Sequence, residues 1–113
     1  MTLQDQAAIL AEIERVQKDF SGEAFCRLAV SLKANYILVE LVAWLKTLPL
    51  DKYPLVAGLL AFGWFYMGEY IPAAEMVLQV TKSFPDTEIW ENLGKNAVMA
   101  EALARIAQGD HQP

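Results

Sequence analysis

The chain has 113 residues, with nine Lys or Arg against fourteen Asp or Glu, and a formal net charge of −5. Its 55% apolar and 20% charged residues exclude intrinsic disorder, and its acidity argues against nucleic acid, whose phosphates require a basic patch. A single domain of this length buries about two thirds of the surface of its unfolded chain. With three Trp, five Phe and four Tyr, the composition predicts apolar surface left over for a partner.

No segment of the sequence has the pattern of a signal peptide or a membrane span. Residues 1–6 have neither a basic nor an apolar region, and the longest uncharged run, 53–68, has 16 residues where a span needs about 20. Cys26 is the single cysteine, which excludes an internal disulfide and fits a reducing compartment. We therefore expect a cytoplasmic protein without membrane insertion.

The first predicted helix covers 2–20, because its apolar residues recur at helical spacing. Those residues are Ile9, Ile13, Val16 and Phe20. Thr2 is the expected N-cap, and Ser21 with Gly22 is the expected stop.

Two further helices are predicted before the middle of the chain, over 23–33 and 36–47. Asn35 is expected to break them, since asparagine tolerates the left-handed conformation. The segment 36–47 is interrupted only by Glu40 and Lys46. A helix that is apolar nearly all round must be covered on more than one side.

Three helices are predicted in the second half, over 55–67, 71–84 and 87–108. Gly68 separates the first two, Pro85 ends the second, and Gly109 ends the third. The whole chain is thus predicted to be all-α, with about six helices arranged as antiparallel pairs.

An internal period connects these helices, because Tyr36 and Tyr70 follow two successive helix breaks 34 residues apart. The stretch 54–86 resembles a tetratricopeptide repeat. The positions that carry the resemblance are Leu60, Ala61, Trp64, Gly68, Tyr70, Ala73 and Pro85. A small residue lets the paired helices approach, and glycine takes the turn without a Cβ penalty.

The flanking segments match the repeat less completely. Residues 21–53 form a degenerate repeat, and 87–108 opens with the Trp-x-x-Leu-Gly pattern but lacks the following turn, so it is interpreted as a capping helix. With the N-terminal helix 2–20, these segments make one predicted domain over 1–109, a tetratricopeptide-like superhelix followed by a flexible tail, 110–113. The alternative is an unrelated helical bundle with a chance match.

The sequence contains few groups that could perform chemistry. His111 lies in the polar tail, and Cys26 lies among apolar neighbours, where a thiol behaves as a small buried hydrophobe. Asp86, Glu88 and Glu91 occur at the start of the last helix, where carboxylates favour the helix dipole. We therefore predict no catalytic residue, no cofactor and no metal site, and a protein that is not an enzyme.

In the repeat family that the chain resembles, the first helix of each pair lines a concave groove. Carried over by position, the resemblance implies an apolar groove formed by Leu28, Leu32, Leu55, Phe62, Phe65, Tyr66, Val98 and Met99. Such a groove suits the apolar face of an amphipathic helix. The alternative is that Phe62, Phe65 and Tyr66 fill the core. We favour the groove, since the opposite side of the same helix is already apolar.

A small acidic chain with degenerate repeats and an apolar groove resembles the chaperones of bacterial type III secretion, above all those of the needle subunit. The resemblance implies a cytoplasmic protein that sequesters an amphipathic helix of the secreted needle subunit and prevents its premature polymerisation. It also implies a second partner, a small helical co-chaperone. The alternative is a generic tetratricopeptide-repeat adaptor or a self-associating homo-oligomer.

Overall fold

The computed structural model describes residues 1–109, and these form six α-helices with no strand among them. The helices are α1 (Leu3–Lys18), α2 (Gly22–Asn35), α3 (Leu38–Leu45), α4 (Leu55–Tyr66), α5 (Tyr70–Ser83) and α6 (Glu88–Ala107). The all-α prediction is confirmed. His111 and the predicted tail 110–113 lie outside the described residues.

The start of α1 is fixed by a capping box, as the N-cap prediction for Thr2 requires. The Thr2 hydroxyl accepts a hydrogen bond from the Asp5 backbone N–H at 3.0 Å, and the Asp5 carboxylate accepts one from the Thr2 N–H at 2.9 Å. These bonds to Thr2 favour the charged carboxylate and hold the pKa of Asp5 below its ordinary value.

Two predicted helix boundaries are wrong. Ser21 does not stop α1 but begins α2, because its hydroxyl accepts from the Ala24 N–H at 3.0 Å and Gly22 is already helical. Asn35 is the last residue of α2 rather than a left-handed break, and its side-chain amide donates to the Ser31 carbonyl at 2.7 Å. The chain then runs extended through Tyr36, so α3 begins two residues later than predicted.

The glycines predicted to end helices take the conformation that only glycine adopts readily. Gly68, between α4 and α5, has φ +80°, and Gly109, after α6, has φ +85°. The loop between α5 and α6 also passes through the left-handed region, at Asp86 with φ +59°. These turns reverse the chain, so α5 runs antiparallel to α4, and α6 runs antiparallel to α5.

The core is centred on α4. Every residue from Leu55 to Ala61 is buried, because α3, α5, α2 and α6 cover different sides of this helix. The most extensive packing is between α4 and α5, and the next between α5 and α6, as in a helical-repeat arrangement. Trp90 of α6 is the largest fully buried side chain, and its ring meets Phe25 edge-on at 4.6 Å.

Pro54 occupies the N-cap position of α4, where its side chain cannot accept a hydrogen bond, and the missing acceptor comes from α1. The Gln17 Oε1 atom accepts from the backbone N–H of Leu55 at 3.0 Å. This bond is the tertiary counterpart of an N-cap and attaches α1 to the central helix.

We predict that Gln17→Ala lowers the free energy of unfolding by about 1 kcal/mol, because it leaves a half-buried N–H without its partner. Urea denaturation measures the change. Gln4→Ala, on the exposed side of the same helix, is the matched control and should leave the midpoint unchanged. An equal effect of both substitutions would show that the hydrogen bond between Gln17 and Leu55 does not itself stabilise the fold.

Candidate functional site

Four aromatic rings form a cluster where α4 ends and α5 begins. We call it the aromatic patch, and it consists of Phe62, Phe65, Tyr66 and Tyr70. The ring centroids of Phe62 and Tyr66 are 4.8 Å apart, and those of Phe65 and Tyr66 are 5.4 Å apart. Tyr70, the first residue of α5, meets Phe65 at 5.6 Å. Such tilted and edge-on pairs are the favourable arrangements of aromatic rings.

The side of α4 that carries the patch is identified by Gly58. A Cβ atom at this glycine would meet the rings of Trp90 and Phe25, so this side faces α6 and α2. Phe62 and Phe65 follow Gly58 by four and seven residues and share its face. One side of α4 is therefore covered by α2 and α6 at Gly58, and the patch lies on the same side further toward the C-terminus of the helix.

The patch changes from core to surface along α4. Phe62 is half-buried and packs against the core beside Leu32 and Leu59, whereas Tyr66 is 54% exposed. The Nζ atom of Lys33 on α2 lies 4.8 Å from the Tyr66 ring centroid, in a cation–π contact. The alternative that these aromatic residues fill the core therefore holds in part for Phe62. Tyr66, at the other end of the patch, presents an apolar ring to the surface beside the cation of Lys33.

Three residues assigned to the groove lie in the core instead. Leu28 and Leu32 of α2 are buried beside Ile9 on the side that α1 approaches, and Leu55 is fully buried where α1 ties the start of α4. The groove assignment placed them by position within a repeat. It did not allow for α1, which covers this side of α2 and α4.

The two assigned residues of α6 are exposed but do not join the aromatic patch. A Cβ atom at Gly94 would lie 3.3 Å from Val77, so this side of α6 faces α5. Val98 follows Gly94 by one turn and lies on that side, and Met99 points to the outside of the array. Of the assigned residues, the structure therefore brings Phe62, Phe65 and Tyr66 together toward the surface, with the buried Leu32 beside Phe62.

The repeat positions form the scaffold of the α4–α5 pair. Leu60, Ala61 and Ala73 are buried, Trp64 is half-buried, and Pro85 follows the end of α5. The Glu69 N–H donates to the Trp64 carbonyl at 2.8 Å and closes the turn at Gly68.

Sequence reasoning missed three surface residues and a second role for Tyr70. Tyr70, assigned to the scaffold, also belongs to the patch, and Lys33 was not singled out although the helical period of α2 makes it a candidate for the same side as Phe25. Leu103 and Ile106 are exposed near the end of α6. Their spacing from Met99 was a readable signal of an apolar face.

A polar cleft of about 710 Å³ lies between α1, α2 and the start of α3, and its charged groups are paired with neighbours. Arg15 binds Glu12 on its own helix at 2.7 Å. The N-terminal ammonium lies 3.8 Å from the Glu40 carboxylate. These pairs are solvated surface contacts, which contribute little to stability.

Other chemical groups of the chain occupy ordinary positions. Burial raises the pKa of the Cys26 thiol, so the reactive thiolate is disfavoured. Within residues 1–109, no cluster of His, Cys, Asp or Glu is arranged to hold a metal ion. Over the same range, no helix combines the length and apolarity that crossing a membrane requires.

In comparisons with known proteins, no family model matches this chain, and no curated protein or solved structure matches it at a significant level.

Proposed function

We propose that the chain is a cytoplasmic chaperone of the bacterial type III secretion class, which binds an amphipathic helix of a needle-type subunit. The aromatic patch is the observation that carries the proposal. The client helix packs its apolar face on Phe65 and Tyr66, and Lys33 contacts a carboxylate or carbonyl at its edge. A small helical co-chaperone is the second proposed partner.

The chemistry of the patch suits binding rather than catalysis. Aromatic residues supply large, rigid contact areas and account for much of the energy of protein interfaces. Each tyrosine adds a hydroxyl that can bond to a partner's backbone while its ring stays in apolar contact. A subunit that polymerises through an apolar helix would be held monomeric by mass action while that helix is bound.

The test is the affinity for a fluorescent synthetic peptide that spans the C-terminal amphipathic helix of a needle-type subunit, measured by anisotropy. We predict that Tyr66→Glu weakens binding at least tenfold, because it places a carboxylate against the apolar face of the peptide. Tyr66 is preferable to Phe62 here, since Phe62 packs against the core and its replacement would disturb the fold.

Val39→Glu is the matched control, because Val39 is exposed on α3 and lies outside the patch. It should leave both the affinity and the helical circular dichroism unchanged. Unaltered binding by Tyr66→Glu, or equal losses in the two variants, would refute the assignment of the patch.

The alternative is self-association or a generic adaptor role. Both alternatives use the same exposed apolar residues as the chaperone proposal. Sedimentation of the purified chain without a partner tests its state of association. A stable homodimer would favour self-association, whereas poor solubility that is relieved by co-expression of a needle-type subunit would favour the chaperone.

A further inference from the structure

Helix α6 extends beyond the helix on which it packs. It has 20 residues against 14 in α5, which makes it about 9 Å longer at 1.5 Å per residue. Gly94 packs on Val77, and α5 starts seven residues before Val77, so the antiparallel α5 ends about seven residues after Gly94, near Glu101 of α6. The last two turns of α6 therefore project past the start of α5.

The C-terminal half of α6, which includes the projecting turns, is apolar on its outer side. Met99, Leu103 and Ile106 are 62%, 60% and 55% exposed, and they recur at intervals of four and three residues together with Ala102. We call these four residues the outer face of α6. Glu101 and Arg105 pair with each other at 3.0 Å on another side of the helix. Terminal elements of helical repeats need a polar outer surface, which the outer face of α6 lacks.

The outer face occupies the position where the next helix of the array would pack. On α4, a Cβ atom at Gly63 would meet Val42 of α3, and Ala57 and Ala61 are buried on another side, to which we assign the contact with α5. Because each residue turns a helix by about 100°, the side of Ala57 and Ala61 is rotated from the side of Gly63 by about 140°. On α6, Gly94 faces α5, and the same rotation leads to Met99.

We propose that the outer face of α6 binds one helix of a partner protein, antiparallel to α6 and separate from the client helix on the aromatic patch. The charges along α6 specify its chemistry. The first turns of α6 expose Glu88 and Glu91, with Asp86 just before them, against the single cation Lys95. An antiparallel partner helix is therefore apolar in its N-terminal half and basic in its C-terminal half.

A second copy of this chain fits the outer face less well. Two α6 helices related by a two-fold axis would pair only their apolar C-terminal halves. Those few side chains form a patch no larger than the roughly 300–600 Å² that is ordinary on the surface of a monomer. Stable dimers bury about 800 Å² on each partner. Such pairing would also leave the acidic first turns of both helices uncovered, whereas a separate helix could contact the whole length of α6.

The test uses two synthetic helical peptides of identical composition, with the same leucine and alanine face. One carries its lysines in the last two turns and the other in the first two. We expect the first peptide to bind at least tenfold more tightly by fluorescence anisotropy, and added salt to reduce the difference. Leu103→Glu should abolish the binding, whereas Tyr66→Glu, in the aromatic patch, should retain it.

Each remaining outcome would overturn the proposal. Three results would refute the binding of such a helix to the outer face: equal affinity for the two peptides, no binding of either, or full binding by Leu103→Glu. A concentration-dependent dimer of the free chain that Leu103→Glu abolishes would make a second copy the occupant. Ile106→Lys provides a second variant, and circular dichroism of both verifies the fold.

Discussion

Replacing Trp90 by alanine is expected to lower the free energy of unfolding by about 3–5 kcal/mol, the range for removing a large buried aromatic ring. Trp90 is 2% exposed, and its ring lies 4.6 Å from Phe25 and 6.0 Å from Phe20 by centroid distance. Its Nε1–H donates to the Phe84 carbonyl at 3.0 Å. The substitution thus removes the contact among α2, α4 and α6 and leaves the Phe84 carbonyl with the Thr87 hydroxyl, at 3.2 Å, as its side-chain donor.

Urea denaturation followed by far-ultraviolet circular dichroism measures this loss. Leu103→Ala is the matched control on the same helix, because Leu103 is exposed and its truncation should change stability by less than about 0.5 kcal/mol. Trp90→Phe keeps a six-membered aromatic ring but removes the Nε1–H and part of the buried ring volume, so its loss of stability should be smaller than that of Trp90→Ala. A Trp90→Ala variant as stable as the Leu103→Ala variant would mean that the three helices do not depend on this contact.

Local chemistry explains why the helices could be predicted from the sequence. The capping box at Thr2 and the left-handed Gly68 each depend on residues within one or two turns, which the sequence displays. Ser21 was misplaced for the same local reason, because serine is a strong N-cap and Gly22 resembles a stop. The error moved a boundary by a few residues and left the number of helices unchanged.

The site could be predicted only where one helix determines it. Phe62, Phe65 and Tyr66 are adjacent because they lie within one turn of α4, so their period alone brings them together. Leu28 and Leu32 were misassigned because their environment depends on α1, which packs against them from elsewhere in the chain. Periodicity identifies an apolar side of a helix but not which neighbour covers it.

The contact between Gly58 and Trp90 has the same character, since the two residues are 32 positions apart and nothing local relates them. We predict that Gly58→Ala lowers the free energy of unfolding by about 2 kcal/mol, although alanine is favoured over glycine within a helix by about 1 kcal/mol. The new Cβ would lie 2.8 Å from Cη2 of Trp90 and 3.1 Å from Cε1 of Phe25. Neither ring can retreat easily, because both are fully buried and the indole is held by its hydrogen bond.

Gly94→Ala is the control that distinguishes crowding from helix propensity. Its Cβ would lie 3.3 Å from Val77, a contact that a shift of a few tenths of an ångström relieves, so the gain in propensity should roughly balance the strain. Urea midpoints of the two variants should therefore separate, with Gly58→Ala well below the parent and Gly94→Ala close to it. Two variants of equal stability would mean that α4 and α6 can move apart without loss. The fold would then not require the close approach of Gly58 to Trp90, which lies on the same side of α4 as the aromatic patch.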